Sequence, residues 1–295
     1  MNGEVPIALP DVEIAGVAAR RGPALDPYAQ FSFASGTYAH AVYHTGRRCN
    51  PPLLILPELA GFAPGLMLLG ERLVAAGFQV YLPWLIGPPG RRAPLANALR
   101  LCVSREFARL RSGVTAPVTL WLRSLITHIS AHNGQGRVGA IGMCLTGAFV
   151  IPLILHPQVA VAVAAQPAVP LSWRYLALGR GGASKRRALN VAAMDIEAAR
   201  TRLSGGMARM LAVRCAADRL CPPDKLERMQ EAFPQGLTVK TYGESGSRNR
   251  LGERPHATYT KEFRLMPAGD AEHPARRAFE DLVAFLDSGL RGGQP

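Results

Sequence analysis

The chain alternates short apolar runs with longer segments in which apolar residues recur at helical spacing. The short runs have the length and composition of buried strands. They lie at residues 53–56, 78–83, 138–142, 159–165 and 209–215. Residues 237–242 alternate like a half-buried strand, and residues 276–290 carry the apolar face of an amphipathic helix. This alternation predicts an α/β fold with a mostly parallel central sheet and helices on both faces.

The run that starts at Val138 leads into the most informative segment. Gly142 ends the run, Cys144 follows two residues later, and Leu145, Thr146 and a second apolar run come next. This layout predicts a nucleophile elbow, a strained strand-to-helix turn that raises its side chain above the sheet. The amide N–H of Leu145 would then lie at a helix N-terminus and could donate to an oxyanion. A buried cysteine in an ordinary strand-to-helix turn fits the segment alone equally well.

Two residues downstream extend this interpretation. Asp218 follows the strand at 209–215, and His256 lies in the long polar loop after the strand at 237–242. The order cysteine, aspartate, histidine predicts a triad in which Asp218 orients His256 and His256 accepts the thiol proton. The alternatives are a helix N-cap for Asp218 and a surface loop histidine for His256.

The other histidines are less well placed, because five of them precede Asp218 and the sixth opens the last helix. They are His40, His44, His128, His132, His156 and His273. The i, i+4 pair His128 and His132 could hold a metal, but it lacks a glutamate like that of HExxH. A helix-surface position is favoured for this pair, and no metal is predicted.

With these residues in view, the chain resembles the dienelactone hydrolase family, whose members use a Cys-His-Asp triad on an α/β-hydrolase fold. The family's elbow is similar to Gly-x-Cys-x-Gly-Gly, which Gly142, Cys144 and Gly147 match, with Thr146 in place of one glycine. A second family mark is a glutamate at the end of an early strand, where this chain has Glu58. The resemblance runs from about residue 35 to the C-terminus and implies the α/β-hydrolase fold.

The resemblance also implies roles near the elbow. The family glutamate at the place of Glu58 contacts the resting thiol, and substrate binding shifts it so that the cysteine becomes a thiolate. The amide N–H of Leu59 would be the second oxyanion donor, beside that of Leu145. The competing interpretation of Glu58 is a turn residue that caps the helix beginning near Phe62.

The residues that would bind substrate are less defined. Family enzymes hold a substrate carboxylate with arginines, and Arg105 is a candidate, although a helix-surface arginine paired with Glu106 fits as well. A second family arginine lies four residues after the histidine, where this chain has Thr260. This departure weakens the case for a diacid-like lactone. Trp84 and Tyr259 are expected to line an apolar pocket.

The domain organisation follows from length and composition. Residues 1–34 predict an N-terminal arm or small appended strands, and residues 35–295 predict a single α/β-hydrolase domain. Residues 171–206 contain a Gly-rich basic patch followed by a helical pattern. This segment is either a cap over the site or a surface insertion with a docked helix.

The net charge of +13 raises the question of an acidic partner such as nucleic acid. Only four of the basic residues are lysines, and a bias this uniform fits genomic base composition. The basic clusters lack interleaved aromatic residues and a nucleic-acid-binding signature. We therefore expect no nucleic-acid partner, and a milder use of the charge in attracting anionic substrates.

The chain shows neither a signal peptide nor an apolar run long enough to span a membrane. These features predict a cytoplasmic protein without a membrane partner. The sequence leaves the oligomeric state open between a monomer and a homodimer. Five cysteines without regular spacing favour neither a disulfide framework nor a zinc ribbon, and no cofactor is expected.

The sequence therefore predicts a carboxylic ester hydrolase similar to carboxymethylenebutenolidase. Cys144 would attack a small-molecule ester or lactone and form an acyl-thioester, which water would then hydrolyse. The alternatives are a general carboxylesterase or thioesterase, and a hydrolase-fold binding protein without catalysis.

Overall fold

A computed structural model describes residues 9–87, 116–168 and 186–292, and in them one sheet of eight strands organises the fold. The strand order is β1-β2-β4-β3-β5-β6-β7-β8. The bounds are Ala29–Ser35 (β1), Tyr38–Thr45 (β2), Pro52–Leu56 (β3), Gln79–Pro83 (β4), Val138–Met143 (β5), Val159–Ala165 (β6), Arg209–Cys215 (β7) and Leu237–Tyr242 (β8). Strands β3 to β8 pair in parallel, and β1 and β2 add an antiparallel edge. The predicted mostly parallel sheet is confirmed.

Helices connect the strands of this sheet. Those in the described residues are Pro64–Ala75 (α1), Pro117–Asn133 (α2), Val150–Leu153 (α3), Ala193–Ser204 (α4), Pro223–Ala232 (α5), Phe263–Leu265 (α6) and Pro274–Leu290 (α7). A 3-10 helix at Cys144–Phe149 leads into α3, and a π-helix at Thr258–Glu262 leads into α6.

The core has two layers, one on each face of the sheet. Successive residues of a strand point to opposite faces, so Leu54 and Ala140 pack with α2, α3, α4 and α5. Their neighbours Leu53 and Ile141 pack with α1 and α7 on the other face. Helices on both faces, as predicted, explain why the central strands are apolar throughout.

Two predicted segments at the margins of the domain are described in part. Strand β1 begins at Ala29, inside the segment predicted as an N-terminal arm or appended strands, and pairs with β2 along its whole length. The end of the predicted cap or insertion forms α4, which buries Ala199 and Leu203 in the core. Residues 169–185 of that segment and Arg105 lie outside the described residues.

The register of the central strands positions the site. Leu56 of β3 lies opposite Gly142 of β5, and Met143 of β5 lies opposite Ala165 of β6. Because these strands are parallel, their carboxyl ends finish at one level along the same edge. Ligand sites of open parallel sheets lie outside this edge.

Candidate active site

The turn after β5 has a strained conformation. Cys144 has a φ of 54°, in the left-handed region that residues with a side chain rarely adopt. A Cβ added to Gly142 would lie 2.3 Å from the carbonyl oxygen of Thr146, and one added to Gly147 would lie 2.8 Å from Cα of Pro167. Only glycine therefore fits at either side of Cys144. Backbone strain of this kind persists where the surrounding structure enforces it, often at functional sites.

Thr146, a departure from the family's elbow, braces the turn. Its Oγ1 accepts a hydrogen bond from the amide N–H of Met143 at 3.0 Å. The hydroxyl also lies 3.1 Å from the carbonyl oxygen of Pro57, to which it can donate. The side chain thereby ties the end of β3 to the elbow, a contact that a glycine could not make.

His256 and Asp218 lie together after β8 and β7. Nδ1 of His256 is 2.6 Å from Oδ2 of Asp218, whose side chain is 1% exposed. Oδ1 of Asp218 accepts hydrogen bonds from the amide N–H groups of Leu220, at 2.8 Å, and Cys221, at 3.1 Å. An acceptor held in this way keeps the proton of a neutral imidazole on Nδ1 and leaves Nε2 free to act as a base.

The environment of His256 favours its protonated form. Burial alone would lower the pKa of His256, but the charge of Cys144 and the hydrogen bond to Asp218 raise that pKa well above its usual value. Nε2 forms no hydrogen bond of standard geometry among the described residues, although Cys144 is close enough to exert this effect. The His256 side chain stays 20% exposed. The arrangement can therefore take the proton of a thiol and stabilise the thiolate as an ion pair.

Glu58 lies after β3 and is held by two neutral donors. Its Oε1 accepts hydrogen bonds from Oγ1 of Thr260 at 2.8 Å and from Nε2 of Gln166 at 3.2 Å. The sequence singled out Thr260 only as a missing arginine, and it assigned no role to Gln166. A polar residue directly after the apolar run of β6, at the edge that carries Cys144, is the signal that could have identified Gln166.

The predicted oxyanion donors occupy equivalent places on neighbouring strand ends. Leu145 follows Cys144 in the first turn of the 3-10 helix, and Leu59 follows Glu58 after β3. Leu56 of β3 pairs with Gly142 of β5, so Leu59 and Leu145 each lie three residues beyond this pair. Their role as two amide donors that flank a nucleophile stays a prediction.

The two predicted pocket residues differ in burial. Tyr259 is 2% exposed and packs in the core layer that contains α1 and α7, and burial raises its pKa. At this exposure, Tyr259 presents almost no surface to a substrate. Trp84 is half-buried after β4, where Nε1 donates to the carbonyl oxygen of Gly87. Strand β3 separates β4 from β5, so Trp84 is two strands away from Cys144.

A cavity of about 170 Å³ adjoins Glu58 on the side of α1. Its lining includes Thr260, Lys261 and Arg264. Lys261 also pairs with Glu253, whereas the Arg264 side chain is exposed. The structure thus places cationic residues beside Glu58 that the sequence did not single out.

The described residues also bear on metal binding and on membrane insertion. They contain no group of three or more His, Cys, Asp or Glu side chains arranged to hold a metal ion. None of their helices has the length and apolar character needed to cross a membrane.

Comparisons with known proteins bear on the fold. No protein-family model and no curated protein sequence matches the chain. Among solved structures, a Klebsiella pneumoniae protein assigned as a dienelactone hydrolase aligns with a TM-score of 0.59 at 18% identity, over 88% of this chain and 97% of that one. A Pyrococcus furiosus esterase aligns with a TM-score of 0.58 at 10% identity, over 93% and 99%. A Lactobacillus plantarum carboxylesterase aligns with a TM-score of 0.56 at 13% identity, over 90% and 99%. At such identities the likeness shows the fold, and the chain has the α/β-hydrolase fold.

Proposed function

We propose that this chain is a cysteine hydrolase that cleaves an ester or lactone bond, in the manner of the dienelactone hydrolases it resembles. One observation carries the proposal: the strained Cys144 directly follows β5, and His256, bonded through Nδ1 to Asp218, lies at the same edge of the sheet. Hydrolases with this fold place a nucleophile at this turn. The structural neighbours, an assigned dienelactone hydrolase and two esterases, belong to the same kind of chemistry.

In the acylation step, Nε2 of His256 takes the proton of Cys144, and the thiolate attacks the carbonyl carbon of the substrate. The carbonyl π electrons move to its oxygen, which accepts hydrogen bonds from the amides of Leu145 and Leu59. The tetrahedral intermediate collapses and the carbon–oxygen bond to the leaving group breaks. His256 then gives its proton to the departing alkoxide, and an acyl-thioester remains.

Deacylation uses the same residues in reverse. His256 removes a proton from water, and the hydroxide formed attacks the thioester carbonyl. The carbon–sulfur bond breaks, the acid is released, and Cys144 recovers its proton from His256. Asp218 keeps the imidazole in one orientation and stabilises its charged form in both steps. Glu58, close to the elbow, would control when the thiol ionises, as the family resemblance implies.

A general carboxylesterase is the second candidate, and Thr260 is the observation that favours it. A hydroxyl bonded to Glu58 stands where the family has an arginine for a substrate carboxylate. An enzyme built in this way would accept neutral esters as readily as anionic lactones. Relative turnover of the two substrate types distinguishes these candidates.

The test measures hydrolysis of a short p-nitrophenyl ester and of a dienelactone by the wild type, Cys144→Ala and His256→Ala. We expect both variants to lose activity by a factor of at least ~10³, because the residues act as one unit. Cys49→Ala is the matched control, since Cys49 is an exposed cysteine outside the site. Hydrolysis that survives in Cys144→Ala and His256→Ala would contradict the proposal. A chain that binds these esters without turnover would instead be a binding protein.

A further inference from the structure

A hydrogen bond between two side chains spans the end of β5, the strand that leads directly into Cys144. Glu58 follows β3 and Gln166 follows β6, and β5 lies between these two strands in the sheet. Nε2 of Gln166 nevertheless donates to Oε1 of Glu58 at 3.2 Å. Since neighbouring strands are about 4.8 Å apart, the two side chains must reach across roughly twice that distance to meet.

The bond lies level with the nucleophile. The register of β3, β5 and β6 gives Glu58, Cys144 and Gln166 equivalent places after three adjacent strand ends. The segment after β6 also contacts the elbow directly, because the amide N–H of Ala168 donates to the carbonyl oxygen of Cys144 at 2.9 Å. A charge held in this bridge therefore lies beside the nucleophile.

Gln166 is built into a single orientation. It is fully buried and has a φ of 34°. Its backbone N–H donates to the carbonyl oxygen of Val213 at 2.7 Å. Its Oε1 has no hydrogen-bond partner among the described residues. Rotating the side-chain amide by 180° would bring Oε1 of Gln166 against the carboxylate of Glu58. The carboxylate therefore favours the orientation in which Nε2 faces Glu58. A buried acceptor left unpaired costs free energy, which the hydrogen bond to an ionised group offsets.

Thr260 supplies the second donor to the same oxygen. Its Oγ1 lies 2.8 Å from Oε1 of Glu58, and its Cβ faces the position of Gly65 in the first turn of α1. Gln166 and Thr260 approach Glu58 from different sides, and both are uncharged. Neither of these two donors brings a positive charge of its own to the carboxylate.

We propose that Gln166 and Thr260 are positioning residues that hold the Glu58 carboxylate across the end of β5 and so fix where a negative charge lies beside Cys144. The inference rests on the proposed function only in taking Cys144 as the nucleophile. A negative charge near a thiol disfavours its thiolate, so moving the charge should change how readily Cys144 is alkylated.

Moving the charge tests this bridge. Gln166→Glu retains the shape of the side chain and places a second carboxylate at the same level. The double variant Glu58→Gln/Gln166→Glu restores one amide and one carboxylate with their positions exchanged. The readout is the rate at which iodoacetamide alkylates Cys144 as a function of pH, assigned by peptide mass spectrometry. We expect the midpoint for Gln166→Glu to rise by about one pH unit, and the double variant to recover most of that shift.

Thr260 provides a second measurement that does not depend on Gln166. Thr260→Val removes the donor on the side of α1, and we expect a smaller rise of the midpoint as the carboxylate relaxes toward the thiol. Thr260→Ser conserves the hydroxyl and should restore the wild-type midpoint. Thr119→Val is the matched control, since Thr119 is a buried threonine on α2.

Two results would overturn the inference in proteins whose circular dichroism shows an intact fold. One is an unchanged midpoint in Gln166→Glu, and the other is a double variant with the full shift of the single one. If Gln166→Glu does not fold, a midpoint for Thr260→Val equal to that of the wild type is equally contrary. Alkylation needs no ester substrate, so a failure of the proposed function, seen as hydrolysis by Cys144→Ala, is a separate outcome.

Discussion

Two regions of this molecule treat their histidines in opposite ways. His256 lies at the carboxyl edge of the sheet with a carboxylate on one ring nitrogen and the charge of Cys144 near the other. His44 lies on β2 beneath α2, where it stacks on Tyr81 with ring centroids 5.7 Å apart. His128 of α2 packs in the same layer, with its ring centroid 5.5 Å from that of Phe31.

The ionisation of these histidines follows their neighbours. Burial, together with the charge of His132, lowers the pKa of His44 to about 4. Neither ring nitrogen of His44 has a hydrogen-bond partner among the described residues. His256 is also buried in large part, yet its pKa is raised. The comparison teaches that a carboxylate and a thiol, rather than burial, make a histidine a base at this site.

The largest effect is expected on catalysis, from a substitution of Asp218, the carboxylate that bonds to His256. Asp218→Asn conserves the shape of the side chain but lets the amide donate to Nδ1, which stabilises the tautomer with the proton on Nε2. We expect kcat for ester hydrolysis to fall by roughly 10³–10⁴-fold, as in other triads that lose their carboxylate. Asp224→Asn is the control, because Asp224 pairs with Arg186 at the surface. Steady-state kinetics that match the wild type would remove Asp218 from the site.

The next largest effect concerns the region around His44, where we expect a loss of stability at acidic pH. His44 takes up a proton near pH 6.5 in the unfolded chain but only near pH 4 in the folded protein, so the unfolded state binds more protons between these values. The free energy of unfolding should therefore fall by about 3 kcal/mol as the pH drops from 6.5 to 4. His132, Arg48 and Tyr81 are the titratable groups that interact with this histidine layer.

Urea unfolding at a series of pH values measures this dependence. His44→Phe should remove much of it, because phenylalanine fills the same apolar layer without taking up a proton. His273→Asn is the control, since His273 caps α7 and asparagine can accept the same hydrogen bond. An equally steep pH dependence in His44→Phe would show that another group is responsible.

A smaller effect is expected at the elbow itself. Thr146→Val has a similar shape but loses the hydroxyl that pairs with Met143 and Pro57. We expect the free energy of unfolding to fall by about 1–3 kcal/mol, because buried backbone groups lose their partner. Thr146→Ser should recover most of the loss in the same denaturation experiment. Equal stability of the two variants would mean that the hydroxyl does not brace the turn.

The smallest effect is expected at Tyr259. Its hydroxyl is buried without a hydrogen-bond partner among the described residues. Tyr259→Phe therefore removes a polar atom without breaking a hydrogen bond to those residues. We expect the KM for p-nitrophenyl esters to stay within about twofold and stability to change by less than ~0.5 kcal/mol. A large rise in KM would indicate that Tyr259 reaches the substrate after all, as its place near His256 in the sequence suggested.

The sequence by itself determined the succession of strands and helices, and with it a mostly parallel sheet. It also singled out the turn at Cys144. The spacing at which apolar residues recur differs between strands and helices, and this spacing is a local property of the chain. Gly142 precedes Cys144 because the carbonyl oxygen of Thr146, in the same turn, leaves no room for a Cβ, which is also a local steric requirement. The predicted strand at 237–242 and the mostly parallel sheet accordingly agree with the structure.

Tertiary structure alone decided which polar groups meet at that edge. Glu58 contacts Gln166, 108 residues away, and Thr260, 202 residues away. Such pairs depend on strand order and register, which no local pattern encodes. The same holds for Tyr259, whose burial follows from the helices packed on its face of the sheet. Hydrogen bonds are directional and short, so sequence spacing alone could not predict these partners.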